Sequence, residues 1–281
     1  MELAVFVEGK ENAETIKLEG ETYIHEFRYP LRKGEQSGWG YVELVDKEDG
    51  NPKDNSAYFV YGEPIKAQTA VVGNPELFAT KFLKLAAAPD SSNTNQVSKV
   101  VLPTSLEAID WTDYAMVLWQ GKLPEAAEAE KLTDYVNAGG LVVCFPVELD
   151  DDVRFNGLGW GALKKFEADG KEFGNWQELV AAEKEQEQLG FRITSYTDNE
   201  GPLQKTEEGL YLPVGDLRVN QRKAIMGDGA IQASFEDGVP WLMSKAVGKG
   251  QVVFCGTQPS DKWSSLTEGL VSVSYTHLTL P

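Results

Sequence analysis

The stretch DYAMVLWQGKLPEAAEAEKLTDYVNAGGLVVCFP, Asp113 to Pro146, decides the fold, because it reads as one complete strand, helix and strand. Tyr114 to Trp119 is a continuous apolar run of the length expected for a strand buried on both faces. Pro124 suits the first turn of a helix, and Glu125, Glu128 and Glu130 lie near the positive end of its dipole. Ala129, Leu132, Val136 and Gly139 follow at helical spacing, which predicts a narrow stripe lying on a sheet. Gly139 and Gly140 supply the conformations that end a helix, and Leu141 to Phe145 is again a short apolar run. Two parallel strands joined by a crossover helix are the implied geometry.

Working outward, the same alternation begins earlier. Thr69 to Val72 reads as a strand, followed by a helix capped by Asn74 with Pro75 at its first position and an apolar face of Phe78, Phe82, Leu83 and Leu85. Val97 to Leu102 is the next strand, so a doubly wound, mainly parallel α/β sheet is expected. Past Pro146, VELDDDVR and FNGLGWG read as a loop on the carboxyl side of the sheet. A helix over Trp176 to Leu189 and a strand over Phe191 to Tyr196 follow. Short, partly antiparallel strands are expected at Leu210–Leu217, Lys223–Met226, Ala230–Phe235 and Pro240–Ala246. Gln251 to Cys255 returns to a buried run, and Trp263 to Val271 should start a covering helix.

Before Gly62 the pattern is different. Leu3–Val7, Thr15–Leu18, Thr22–Tyr29, Gly40–Val45 and Ala57–Tyr61 are short strands between turns, which suggests a small β-sandwich. Gly62 to Gln68 is the expected boundary, so residues 1–66 form the sandwich and 67–271 the α/β domain. The string SYTHLTLP near the end resembles a tail found on unrelated metagenomic reading frames, so 272–281 is read as non-native.

Composition narrows the function. The 281 residues carry a formal charge of -18, which argues against clamping nucleic acid phosphates or an anionic lipid surface. No run approaches a membrane span, so the fragment itself is expected to make no membrane contact. The two cysteines, Cys144 and Cys255, are far apart and inside apolar runs, neither a disulfide framework nor a metal site. The two histidines are His25, within a strand pattern, and His277 near the end. Asp46 to Asn55 is rich in oxygen ligands but lacks EF-hand spacing, and the consecutive Asp150, Asp151 and Asp152 point in different directions. Gly157, Gly159 and Gly161 do not join a strand to a helix in the dinucleotide pattern, and Trp111, Trp119, Trp160, Trp176 and Trp263 read as core. No catalytic, cofactor-binding or metal-binding residue is assigned, and no cofactor is expected.

A parallel sheet with Cys144 on its fourth strand and GKGQVVFCGTQPSDKW at its last resembles the class I glutamine amidotransferase-like superfamily. Active members place a nucleophilic cysteine on a sharp elbow and a His and Glu after the last strand. Here Cys144 is followed by Phe145 and Pro146, and Gly256 to Ser260 stand where the His and Glu would be. A pseudoenzyme is therefore expected. More closely, GWGYVELVDKEDGNPKDNSAYFVYGEPIK, DYAMVLWQGKLP, YVNAGGLVVCFP and LPVGDLRV resemble the extracytoplasmic part of BatA-type proteins. That family has transmembrane segments, a von Willebrand A domain, an immunoglobulin-like domain and an amidotransferase-like domain without catalytic residues. The resemblance implies a non-catalytic, periplasmic fragment of a membrane-anchored parent, with a protein partner among the subunits of a membrane-associated complex. The DxSxS signature of the von Willebrand A domain is not in this sequence. DYAMVLW, YVNAGG and GKGQVVF also resemble the ThuA-like branch, which implies the alternative of an enzyme or sugar-binding domain.

Overall fold

The computed structural model describes residues 2–7, 10–15, 37–45, 55–62, 67–90, 95–149, 152–184, 188–198, 203–205, 209 and 211–268. They divide into two units, Met1–Ile65 and Lys66–Pro281.

In the first unit β1 (Glu2–Val7), β2 (Lys10–Thr15), β3 (Ser37–Val45) and β4 (Ser56–Gly62) form one antiparallel sheet in the order β2-β1-β3-β4. Phe6 stacks on Tyr41, which lies beside Tyr58 on the same face, as cross-strand register requires. Of the strand expected at Thr15–Leu18, Thr15 closes β2, and the remaining residues 16–18 lie outside the described residues. Thr22–Tyr29, which would supply a second layer, lies outside the described residues, as do His25, Asp46 to Asp54, and 272–281 with His277.

The second unit is α/β. Five parallel strands are β5 (Ala67–Val72), β6 (Gln96–Val101), β7 (Met116–Gln120), β8 (Leu141–Phe145) and a later one, Gly250–Cys255. The connecting helices are α1 (Phe78–Ala87), between β5 and β6, and α2 (Ala126–Ala138), between β7 and β8. After β8 come β9 (Gly159–Lys165), the two-residue pair β10 (Glu167–Ala168) and β11 (Lys171–Glu172), α3 (Trp176–Ala182) and β12 (Ile193–Tyr196). Then follow β13 (Gln221–Met226), β14 (Ala230–Phe235), β15 (Pro240–Val247) and β16, the Gly250–Cys255 strand. The main sheet has the order β12-β14-β15-β16-β8-β7-β5-β6, with β15, β14 and β12 added antiparallel to one edge. Its parallel part has the doubly wound strand order 2-1-3-4-5, whose direction of winding reverses between β5 and β7.

The two faces are covered by different helices. Val71, Leu118, Val143 and Val253 pack with Leu83, Ala86 and Ala87 of α1 on one face. Val72, Val117, Val142 and Val252 pack with Leu132, Tyr135 and Val136 of α2 on the other. Each fully buried Leu of this kind is worth about 2–5 kcal/mol against alanine. Gly139 ends α2 with φ +125°, donating its N–H to the Tyr135 and Val136 carbonyls.

Several expectations are corrected. Asn74 and Pro75 do not open α1: they form a preceding turn, in which Asn74 Oδ1 accepts from Glu76 N at 3.0 Å, and the helix starts at Phe78. Its buried face is Ala79, Thr80, Leu83, Ala86 and Ala87, while Phe78 and Leu85 are exposed, because small side chains let the helix lie close on the sheet. FNGLGWG is not a loop throughout. Asn156 and Gly157 have φ +51° and +83°, as a two-residue hairpin turn needs, Phe155 bridges Leu158, and β9 pairs with β13. The α3 helix stops at Ala182, and the described part of the strand expected at Leu210–Leu217, residues 211–217, instead holds a 3₁₀ turn at Val214–Asp216. The described part of the expected last helix is likewise a 3₁₀ turn, Ser265–Thr267.

Candidate functional site

In a doubly wound sheet, ligands bind outside the carboxyl ends of the strands where the winding reverses. At that place β5 runs into Gly73, β7 ends in Gln120, β8 runs into Val147 and Glu148, and β16 leads to Gln258. Gly73 is there for space. A Cβ on it would lie 2.6 Å from Thr80 Oγ1 and 3.1 Å from the Gln120 carbonyl oxygen, so only glycine lets the first turn of α1 settle against the end of β7.

Three buried polar side chains form the floor. Thr80 Oγ1 donates to Gln120 Oε1 at 3.1 Å, and Gln120 Nε2 donates to Gln258 Oε1 at 2.8 Å. This order leaves the Nε2 end of Gln258, a residue only 6% exposed, without an acceptor among the described residues. The loop after β16 is pinned around it. Thr257 Oγ1 donates to the Gln221 carbonyl at 2.9 Å, Ser264 Oγ to the Gln258 carbonyl at 2.8 Å, and Asn220 Nδ2 to the Lys262 carbonyl at 2.9 Å.

Above this floor opens a cavity of about 570 Å³. Its apolar wall includes Leu77, Phe78 and Val147, the first two exposed; its polar rim holds Ser260, Asp261 and a Glu148–Lys262 ion pair at 3.3 Å. Lys223, a buried lysine on β13, donates from Nζ to the Leu149 carbonyl at 2.6 Å and so fixes the loop after β8. Its neighbour Arg222 points elsewhere, packed over the rings of both Phe191 and Phe235 and paired with Asp237.

None of the described cysteines, tryptophans and glycines singled out from sequence lines this cleft. Cys144 is fully buried in the layer beneath α2, where burial pushes its thiol far above the ordinary range. Cys255 is buried on the opposite face. Asp152 is exposed, and Asp150 and Asp151 lie outside the described residues. Gly157 is in the hairpin turn, Gly159 and Gly161 are on β9, and Trp111, Trp119 and Trp263 are core, with Trp160 and Trp176 half-buried. Among the described residues no group of three or more His, Cys, Asp or Glu could hold a metal, and no helix is long and apolar enough to cross a membrane. Thr80, Gln120 and Gln258 carry no motif, and the sequence singles out only Gln258, as one of the residues Gly256 to Ser260 that stand where the resemblance would place His and Glu. The available signal was position: MVLWQ ends a buried parallel strand in a carboxamide, and in QVVFCGTQ a carboxamide follows three residues after such a strand.

No family model matches the chain, and no curated protein matches it. Among solved structures, it is similar to a β-galactosidase from Rahnella sp. R3, with TM-score 0.45 and 13% identity over 76% of this chain and 30% of that one. The chain thus spans less than a third of that enzyme's length. It is also similar to the cytoplasmic protein STM1381 from Salmonella typhimurium LT2, with TM-score 0.44 and 12% identity over 75% of this chain and 98% of that one. A structure described as ThuA-like, from Bacteroides uniformis ATCC 8492, gives TM-score 0.42 and 10% identity over 78% and 91%.

Proposed function

We propose that this chain is a non-catalytic interaction module whose recognition site is the cleft at the carboxyl edge of the sheet. In this reading it works outside the cytoplasm, as part of a longer membrane-anchored protein with a von Willebrand A domain, and its partner is a protein of the same membrane-associated complex. The observation that carries the proposal is the Thr80–Gln120–Gln258 chain. Carboxamides neither ionise nor act as nucleophiles near neutral pH. Yet three buried polar groups, costly unless hydrogen-bonded, occupy the ligand end of the fold, which suits recognition without chemistry. The test has two parts. Ammonia release from glutamine that disappears in Cys144→Ala or Gln258→Ala would overturn the non-catalytic half. An upstream coding sequence without transmembrane segments and a von Willebrand A domain would overturn the anchored half.

A second reading, a small-molecule site such as a sugar-binding domain of ThuA-like type, is favoured by the volume of the cleft, about 570 Å³ with an apolar wall and few polar groups. Saturable binding of a monosaccharide that is abolished in Gln258→Ala would decide for it.

A further inference from the structure

The N-terminus of α1 forms one wall of the cleft, and it is uncapped. Its N-cap is Leu77, which offers no side-chain acceptor, and its first turn holds no acidic residue. Leu77 N is taken by the Asn74 carbonyl, and Lys81 N by the Leu77 carbonyl. Between them the N–H groups of Phe78, Ala79 and Thr80 have no acceptor among the described residues. Ala79 is only 3% exposed, and orphaned N–H donors in such surroundings are rare. A second donor belongs to a residue that lines the same cavity: Gln258, only 6% exposed, accepts from Gln120 through Oε1, which leaves its Nε2 over. Oriented donors at the positive end of a helix dipole are the recipe for an anion.

Resting on the reading of this cleft as the recognition site, we infer that it binds a carboxylate attached to an apolar group. The carboxylate oxygens accept from Phe78 N, Ala79 N and Gln258 Nε2, and the apolar group lies against Leu77, Phe78 and Val147. The charges on the rim select the class of anion. Lys262 is engaged by Glu148, and Asp261 stands on the same rim without an ion-pair partner among the described residues. A singly charged carboxylate meets less repulsion there than a phosphate carrying nearly two charges. The same chemistry is offered by a free organic acid and by the C-terminus of a partner chain.

The test is calorimetric titration of the full chain with N-acetyl-leucine and N-acetyl-leucinamide, and with a short leucine-ending peptide in free-acid and amidated forms. The free acids should bind at least about tenfold more tightly than the amides, as hydrogen bonds to a charged group require. Binding of the peptide acid assigns the site to a chain end, and binding of the small acid alone assigns it to a metabolite; either supports the inference. Phe78→Pro removes one orphan N–H at the position where proline is tolerated, and Leu77, at φ −74° and ψ 138°, already has the backbone a following proline needs. Compared with Phe78→Ala, which removes the ring and keeps the N–H, it should weaken acid binding about tenfold. Gln258→Met should do the same. Acid and amide binding equally, or the acid not binding, overturns the inference. Binding of the amide alone would overturn it while leaving the cleft a recognition site.

Discussion

Cys144 and Cys255 lie on adjacent strands of one sheet and face opposite ways. Cys144 stands opposite Phe254 in the β8–β16 register, and Cys255 is the next residue along, so the pleat turns the two thiols to different faces. Disulfide geometry needs Cβ atoms that point toward each other, which this arrangement forbids without moving a strand. Neither thiol should react with Ellman's reagent in the native protein, and both should react in denaturant. Because burial pushes the Cys144 thiol far up, its native alkylation should stay far slower than that of a free thiol from pH 6 to about 9, and should not level off near the ordinary thiol value of about 8.5. An intact mass two hydrogens light after mild oxidation would show that the strands open.

The buried Thr80–Gln120–Gln258 chain makes Thr80→Val a diagnostic substitution. It keeps shape and volume but leaves Gln120 Oε1 without its donor in a buried site. The expected loss is about 1–3 kcal/mol, the cost of an unsatisfied buried acceptor, measured by urea denaturation. Thr80→Ser, which restores the hydroxyl, should recover most of it. A neutral Thr80→Val would mean that water reaches Gln120.

Arg222 and Asp237 give stability an acid dependence. The Arg222 guanidinium, hydrogen-bonded to Asp237, holds its carboxyl below the usual carboxylate value. A depressed folded-state value stabilises the native protein at pH above the unfolded Asp value, about 3.9, and the contribution is lost as pH falls through the folded value. Asp237 is half-exposed, so screening limits the effect of Asp237→Asn to about 1 kcal/mol at pH 7. That difference from the wild type should vanish as pH falls below the folded-state value, where both chains are uncharged at this position. A difference that stays equal as pH falls would assign the loss to packing alone.

How much of this could be read beforehand depends on which side chains do the work. The strands β5, β7, β8 and β16 are continuous apolar runs because both their faces are covered, and Gly139 announces the end of α2. The face of α1 was misread because hydrophobicity singles out Phe78 and Leu85, whereas close packing on the sheet selects Ala79, Ala86 and Ala87. The β9 strand is hidden because FNGLGWG reads as a glycine-rich loop, whereas Asn156–Gly157 forms a hairpin turn. The cleft was illegible for a different reason. Its groups are two carboxamides, a threonine hydroxyl and main-chain N–H donors, none of which has a characteristic spacing, and only the end-on view of the sheet brings positions 80, 120 and 258 together.

Gly73 tests whether that assembly depends on close approach. Its Cβ would meet Thr80 Oγ1 at 2.6 Å and Cγ2 at 3.2 Å, and Thr80 is fully buried and held by its own hydrogen bond. In Gly73→Ala, therefore, either the first turn of α1 lifts away from β7 or Thr80 rotates and releases Gln120 Oε1. Both outcomes cost stability, by about 1–3 kcal/mol as for other overpacked sites. The backbone at Gly73 has no left-handed φ, so the penalty comes from the contact and not from conformation. Thr80→Ala in the same background removes two of the three atoms that the new Cβ meets and leaves the Gln120 carbonyl oxygen at 3.1 Å, so the two losses should not add in full. A double-mutant cycle by urea denaturation should give a favourable coupling of about 0.5–3 kcal/mol. Strict additivity would mean that the two residues do not touch, and that something other than Gly73 sets the approach of α1 to the sheet.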